Sequence, residues 1–173
     1  MQIELDKLEG NSSQFAHVYG PEELKLDESD ARLVEPPSVR GRLDRRGSEV
    51  QLRGTVRARA QVDCDRCLQA VEMPIEASFD VRYISSDDYR ATETVELQEE
   101  DLSVGVFEDA TIDIDELVRE QVLLALPSRA LCTEECKGLC PTCGANRNSP
   151  EACGCEAANI DPRWDALKNL KSL

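Results

Sequence analysis

Eight cysteines in a chain of 173 residues constrain this protein more than any other feature of its sequence. They form four close pairs, Cys64/Cys67, Cys132/Cys136, Cys140/Cys143 and Cys153/Cys155. No apolar segment approaches the roughly 18 residues of a membrane span, and the N-terminus lacks the features of a signal peptide. We therefore expect a cytoplasmic protein with no membrane partner, in which cysteines serve as metal ligands more often than as disulfide partners.

The strongest local metal signal is the segment Cys140-Pro141-Thr142-Cys143-Gly144. A spacing of two residues lets both thiolates face one ion while backbone amides of the turn point at the sulfur atoms. The glycine after the second cysteine permits a tight turn. Because Cys153 and Cys155 supply a further pair shortly afterwards, these four cysteines predict a compact four-thiolate site.

The other four cysteines are compatible with a second site of the same kind. Cys64 and Cys67 repeat the two-residue spacing, and Cys132 and Cys136 are separated by three residues. We expect structural zinc, one or two ions, because zinc suits four thiolates in a tetrahedron and has no redox chemistry. A single site with spare thiols, an iron–sulfur cluster and free buried cysteines remain open alternatives.

Two long stretches alternate between apolar and polar residues, as half-buried antiparallel strands do. In residues 49–62 the apolar positions share one parity and the arginines share the other. Residues 71–84 repeat the pattern, so the two stretches predict a hairpin with Cys64 and Cys67 at its tip. Gly54 interrupts the apolar parity, and we expect a bulge there.

One amphipathic helix is predicted after Asp113, which has the position of an N-cap, with Glu116 three residues later. Leu123, Leu124 and Leu126 widen its apolar stripe, which predicts a well-buried helix that Pro127 ends. The remaining predictions are an edge strand at 2–8, a break at Pro36-Pro37, a loop at 85–91, a strand at 102–107 and a short terminal helix from Asp161.

These segments predict an α+β fold. An antiparallel β-rich core, either a curved sheet or a small barrel, would pack against one main helix and a cysteine-rich zinc-binding C-terminal tail. The expected domains are a β-rich core over 1–127 and a zinc module over 128–173. The tail is rich in Cys, Gly, Pro and Asn, so it needs a metal to fold.

The formal net charge of -15 makes the chain a poor general ligand for nucleic acid. The charge is unevenly distributed, however, because arginines cluster between residues 40 and 66 while acids dominate residues 93–120. The outward face of the first long strand and the hairpin tip carry the candidate RNA-binding residues Arg53, Arg57, Arg59 and Arg66. Ordinary solvated faces would show the same pattern.

No catalytic constellation is recognisable in the sequence. His17 is the only histidine, and neither a Gly-rich phosphate loop nor a nucleophile elbow is present. Zinc sites made of four thiolates are closed, whereas catalytic zinc keeps an open position. A redox-active dithiol at Cys64 and Cys67 would require a helix start instead of a hairpin. We therefore expect no enzymatic activity and no small-molecule substrate.

Several short motifs together resemble the YceD family of bacterial and plastid proteins, described as large ribosomal RNA subunit accumulation proteins. They span Cys64 to Leu170 and comprise Cys64-Asp65-Arg66-Cys67-Leu68, Leu124-Ala125-Leu126-Pro127, the segment from Cys136 to Asn146, Cys153-Gly154-Cys155 and Asp161-Pro162-Arg163. Arg147 departs from the family pattern, which has an apolar residue there. Some relatives keep the hairpin pair and lack most of the tail cysteines.

The resemblance implies a non-enzymatic role in the accumulation of 23S ribosomal RNA and in large-subunit assembly. Family genes often adjoin the gene for a small zinc-ribbon protein of the large subunit. The implied partners are therefore a large-subunit ribosomal RNA precursor or a basic ribosomal protein. Two alternatives are a chaperone of such a protein without RNA contact and a thiol-based redox or zinc sensor.

Overall fold

The computed structural model describes residues 1–8, 10–26, 31–91, 104–149, 153–155 and 163. The chain divides into two compact units. The first comprises Met1–Val62 and Val71–Ser128, and the second comprises Asp63–Ala70 and Arg129–Leu173. The domain boundary expected after residue 127 stays a prediction. Among the described residues, no helix has the length and apolar character needed to cross a bilayer.

The first unit is built mainly on a five-stranded sheet. Its strands follow one another in chain order: β2 (Ser12–Val18), β3 (Ala31–Arg46), β4 (Glu49–Asp63), β5 (Ala70–Ser85) and β6 (Val104–Phe107). A separate antiparallel pair joins β1 (Gln2–Glu4) to β7 (Thr111–Asp113). Within the described residues the α-helices are α1 (Ser86–Ala91) and α2 (Ile114–Leu124), and Leu5–Lys7 forms a short 3-10 helix. The expected strand-rich α+β fold is confirmed.

The alternation along β4 and β5 produces the core. The apolar side chains of β4 at Val50, Leu52, Val56 and Ala60 are fully buried. They join Phe79 of β5 and the buried face of α2 in one cluster. Each valine or leucine side chain removed from water in this way contributes about 1.5–3 kcal/mol to stability. The pattern therefore decides which face of the sheet the helix covers.

The sheet is mixed, and only part of its pairing follows the expected antiparallel pattern. β2, β3 and β4 pair antiparallel. In contrast, β6 lies parallel to β5, with Arg82 opposite Val104 and Ser85 opposite Phe107. Parallel neighbours need a crossover connection of about a dozen residues or more, and residues 86–103 are long enough to provide it.

Two local predictions are wrong, the break at Pro36-Pro37 and the loop at 85–91. The strand β3 runs through Pro36 and Pro37, with register shifts on both sides of Glu35. These irregularities accommodate residues that have no amide proton to donate to a ladder. The predicted loop at 85–91 contains helix α1, because the Ser85 hydroxyl accepts a hydrogen bond from the Asp88 amide (3.1 Å) and caps the helix.

The predicted start of the main helix is confirmed. The Asp113 carboxylate accepts hydrogen bonds from the amides of Asp115 (2.8 Å) and Glu116 (3.3 Å). The helix ends at Leu124, three residues before Pro127. The predicted width of its buried stripe is wrong, because Leu124 is 72% exposed. The terminal helix expected from Asp161 lies outside the described residues, apart from Arg163.

Gly54 is not at a bulge, because β3 and β4 keep their register on both sides of it. It lies opposite Gly41, and a side chain at Gly54 would have no space. A Cβ there would approach the Phe79 ring to 2.5 Å and the Gly41 Cα to 2.9 Å. The interruption in the apolar parity therefore reflects the close approach of a phenylalanine ring to the sheet backbone.

The Gly54→Ala substitution should lower the free energy of unfolding by about 1–3 kcal/mol, because the added methyl overpacks the core against backbone and ring atoms. Urea denaturation monitored by circular dichroism measures this effect. Thr55→Ala, which alters the solvent face one residue later, is the matched control. Equal unfolding midpoints for the wild type and Gly54→Ala would contradict this reading of the glycine.

Candidate metal centre

The second unit brings Cys64, Cys67, Cys132 and Cys136 together. The first two lie in the turn between β4 and β5, and the other two lie in the tail. Their four sulfur atoms all lie within 4.8 Å of one another. Two of the distances are 3.8 Å, between the Cys64 and Cys136 sulfurs, and 3.6 Å, between those of Cys67 and Cys132. We call these four residues cluster 1.

The spacing in cluster 1 fits a tetrahedral metal ion. Zinc–sulfur bonds of about 2.3 Å place the sulfurs of a regular tetrahedron about 3.8 Å apart. A disulfide would bring two sulfur atoms to about 2.05 Å, and all eight cysteines are free thiols. The donor set and its geometry therefore suit zinc.

Backbone hydrogen bonds hold the hairpin turn against the tail within this unit. The Asp65 amide donates a hydrogen bond to the Ala130 carbonyl (2.9 Å), and the Ala130 amide donates one to the Asp65 carboxylate (2.7 Å). The Leu139 amide donates to the Arg66 carbonyl (3.0 Å), and the Arg66 guanidinium donates to the Cys136 carbonyl (2.7 Å). Arg66, a candidate RNA ligand from the sequence, therefore supports the cysteine cluster.

Cysteines 140, 143, 153 and 155 form a second group, cluster 2, whose sulfurs also lie within 4.8 Å of one another. The Cys140 carbonyl accepts from the Gly144 amide (2.8 Å), which closes the turn. Gly144 has a φ of 74°, a conformation that glycine adopts without strain. Cluster 2 is more open than cluster 1, because Cys143 and Cys155 are exposed while Cys140 is buried.

Backbone amides prepare one thiol in each cluster for metal binding. The pKa of Cys64 is lowered to about 6, mainly by the amide of Cys132, and that of Cys140 is lowered to about 6, mainly by the amide of Cys143. In contrast, the neighbouring thiols, Cys143 first among them, raise the pKa of Cys155 to about 12. Several thiolates at this distance repel one another, so a cation is needed to keep all four ionised.

The second unit lacks a hydrophobic core among its described residues. Its buried positions are four cysteines, one alanine and one glycine: Cys64, Cys67, Cys136, Cys140, Ala130 and Gly138. Burial of these six described residues removes little apolar surface from water. The two clusters have the membership that the spacing favours, and four-thiolate sites of this kind supply folding free energy when zinc binds.

Asn148 is a contributor that the sequence reasoning missed. Its side-chain amide donates to the Cys136 sulfur (3.2 Å), and its side-chain oxygen accepts from the Lys137 amide (2.8 Å). Groups that hydrogen-bond to metal ligands in this way orient them. The only feature of the sequence that pointed toward Asn148 was its position next to Arg147, where the chain departs from the family pattern. Arg147 itself is exposed, and its backbone amide donates to the Gly138 carbonyl (2.9 Å).

The three candidate RNA ligands on β4 lie on the solvent face of the sheet, and each pairs with a carboxylate. The pairs are Arg53–Asp80 (3.0 Å), Arg57–Glu76 (2.8 Å) and Arg59–Glu35 (3.0 Å). Exposed pairs of this type contribute only about 0–1 kcal/mol each. The charges of these three arginines are therefore largely neutralised, and RNA binding by them stays a prediction.

Comparison with known proteins gives a family match over most of the chain. Residues 52–171, which include all eight cysteines, match the family model described as large ribosomal RNA subunit accumulation protein YceD. The uncharacterized protein YlbN of Bacillus subtilis (strain 168) is 31% identical over 170 residues, which cover 96% of this chain and 92% of that protein.

Two further relatives are longer proteins. The maize protein named large ribosomal RNA subunit accumulation protein YCED homolog 1, chloroplastic, is 29% identical over 78% of this chain and 54% of its own length. An uncharacterized Mycobacterium tuberculosis (strain ATCC 25618 / H37Rv) protein is 35% identical over 70% of this chain and 55% of its own length. The chain thus spans about half of these two relatives. No solved structure matches.

Protein purified without added metal should contain about two zinc ions per chain, and the double variant Cys140→Ser/Cys143→Ser about one, because each four-thiolate cluster holds one ion. Elemental analysis measures both values. One zinc in the wild type and none in the variant would confine the metal to cluster 2. Iron in place of zinc, or no metal, would contradict the zinc assignment.

Asn148→Ala should weaken zinc binding at cluster 1 by about 10–100-fold, because the Cys136 sulfur loses its hydrogen bond and its loop loses an anchor. Competition with a chromogenic chelator in the Cys140→Ser/Cys143→Ser background measures cluster 1 alone. Arg147→Ala, one residue away and exposed, is the matched control. Equal zinc affinity for Asn148→Ala and Arg147→Ala would show that this asparagine does not support the site.

Proposed function

The chain belongs to the YceD family of large ribosomal RNA subunit accumulation proteins, and we propose that it promotes the accumulation of 23S ribosomal RNA and large-subunit biogenesis. In this proposal it is a non-enzymatic assembly factor stabilised by structural zinc. The observation that carries the proposal is the family match over residues 52–171, which contains both cysteine clusters. The maize relative carries the same description in its name.

The chemistry of the clusters favours a structural over a catalytic role. Each cluster offers four thiols to one ion, so a bound zinc would keep no open position for a water or a substrate. His17, the only histidine, pairs with Glu23 (3.0 Å). It belongs to the first unit, whereas all eight cysteines belong to the second. We infer that zinc holds the second unit in a shape that a ribosomal partner recognises.

A second candidate is a chaperone for a basic ribosomal protein, without contact to RNA. The net charge of -15 and the pairing of Arg53, Arg57 and Arg59 with carboxylates favour it. A cationic protein would be attracted to such a surface, whereas a polyanion would be repelled from most of it. Retention of binding to that ribosomal protein after nuclease treatment would favour this candidate over the RNA-binding one.

A bacterial strain that lacks its own family member should accumulate less 23S relative to 16S ribosomal RNA, and this chain should restore the ratio. The Cys64→Ser/Cys67→Ser variant should lose most of the rescue, because the second unit depends on cluster 1. Quantitative RNA analysis measures the ratio, with His17→Ala as the control expected to rescue fully. Unchanged 23S levels in the strain without the protein would refute the proposal.

A further inference from the structure

Arg40 of β3 differs from the three paired arginines of β4 in its partner. Arg40 is exposed on the solvent face of the sheet, and its Nε donates to the Thr55 hydroxyl (3.2 Å). Across the described part of the chain, no carboxylate lies within ion-pair distance of Arg40, whereas its neighbour Arg42 pairs with Asp44 (2.9 Å). Arg40 therefore keeps an uncompensated positive charge on a protein of net charge -15.

A depression of about 290 Å³ lies beside Arg40, across β2, β3 and β4. The register places short side chains around the arginine, with Ala16 on one side, Thr55 on the other and Ser38 two residues along β3. Because these side chains are shorter than that of Arg40, they leave a space on the solvent side of the sheet. Val18, which is 73% exposed, forms one wall of the depression.

Arg57 of β4 also lines the depression, but its charge is paired with Glu76 (2.8 Å). The other groups that face the depression are hydrogen-bond donors and an apolar surface. The guanidinium of Arg40 retains terminal N–H groups whose geometry matches two oxygens of a phosphate. The hydroxyls of Ser38 and Thr55 add donors from other directions, which a tetrahedral anion uses better than a planar carboxylate does. The methyl groups of Val18 offer an apolar contact for a ribose or a base.

We propose that this depression binds a phosphate of single-stranded RNA, with Arg40 as the principal ligand. The proposal rests on the proposed function, and it makes Arg40 of β3 the principal RNA contact in place of the paired arginines of β4. Arg46 lies on the same side of β3 roughly 20 Å further along the strand. It is exposed, and no described carboxylate pairs with it. The surrounding acids would discourage binding elsewhere, so the contact is confined to the uncompensated arginines.

The test compares two substitutions that remove the same charge from the same face. Arg40→Gln should weaken binding of a short fluorescein-labelled oligouridylate about tenfold, and Arg53→Gln, whose arginine is already paired, should change it little. Fluorescence anisotropy over a series of salt concentrations measures both. The slope of log Kd against log salt should fall by about 0.7 for Arg40→Gln, as expected for one lost contact to a single strand.

Three outcomes would overturn the site. The wild-type chain fails to bind the oligonucleotide, Arg53→Gln weakens binding as much as Arg40→Gln, or a polyglutamate peptide binds with the same affinity and the same dependence on Arg40. Thermal melting and zinc content confirm that both variants are folded. The proposed function fails separately: RNA binding through Arg40 in vitro, with unchanged 23S levels in the strain without the protein, would refute that function and leave the site intact.

Discussion

The second unit depends on the meeting of four thiols, from Cys64 and Cys67 in a hairpin turn and from Cys132 and Cys136 in the tail. Its described buried residues do not form an apolar core. The sulfur distances match the edge of a zinc tetrahedron, and backbone bonds around Asp65 and Arg66 hold the turn for that purpose. A metal ion held by these thiols would supply folding free energy of the kind that hydrophobic burial supplies elsewhere.

The first unit is stabilised in the ordinary way, by apolar side chains of β4 and β5 that pack with α2. The charged side chains of this unit that bear on RNA binding lie on the solvent face of the sheet. Arginines cover β3 and β4, but carboxylates from β5 and from β3 itself neutralise those of β4. A count of basic residues overstates the attraction of such a surface for RNA, because a paired guanidinium presents little net field. An anion is attracted more strongly to an arginine without a carboxylate partner than to a paired one.

The cysteine chemistry and the family membership lead to the same kind of function. A four-thiolate site leaves no coordination position open on a bound zinc ion, which is typical of structural zinc sites. The difference between the clusters adds a further property. Cluster 1 is mostly buried, whereas Cys143 and Cys155 of cluster 2 are exposed to solvent. Zinc at cluster 2 would therefore be the more accessible to chelators and oxidants.

The sequence by itself determined the features that depend on local period and spacing. Alternation along residues 49–62 and 71–84 predicted the central strands, Asp113 predicted the start of α2, and the cysteine spacing favoured the two clusters. Only the tertiary structure decided the parallel pairing of β6, the role of Gly54 beneath Phe79, the support of Cys136 by Asn148 and the pairing of the β4 arginines. These features join residues far apart in the chain. A periodic pattern reports the environment of one segment, and it carries no information on which distant group completes that environment.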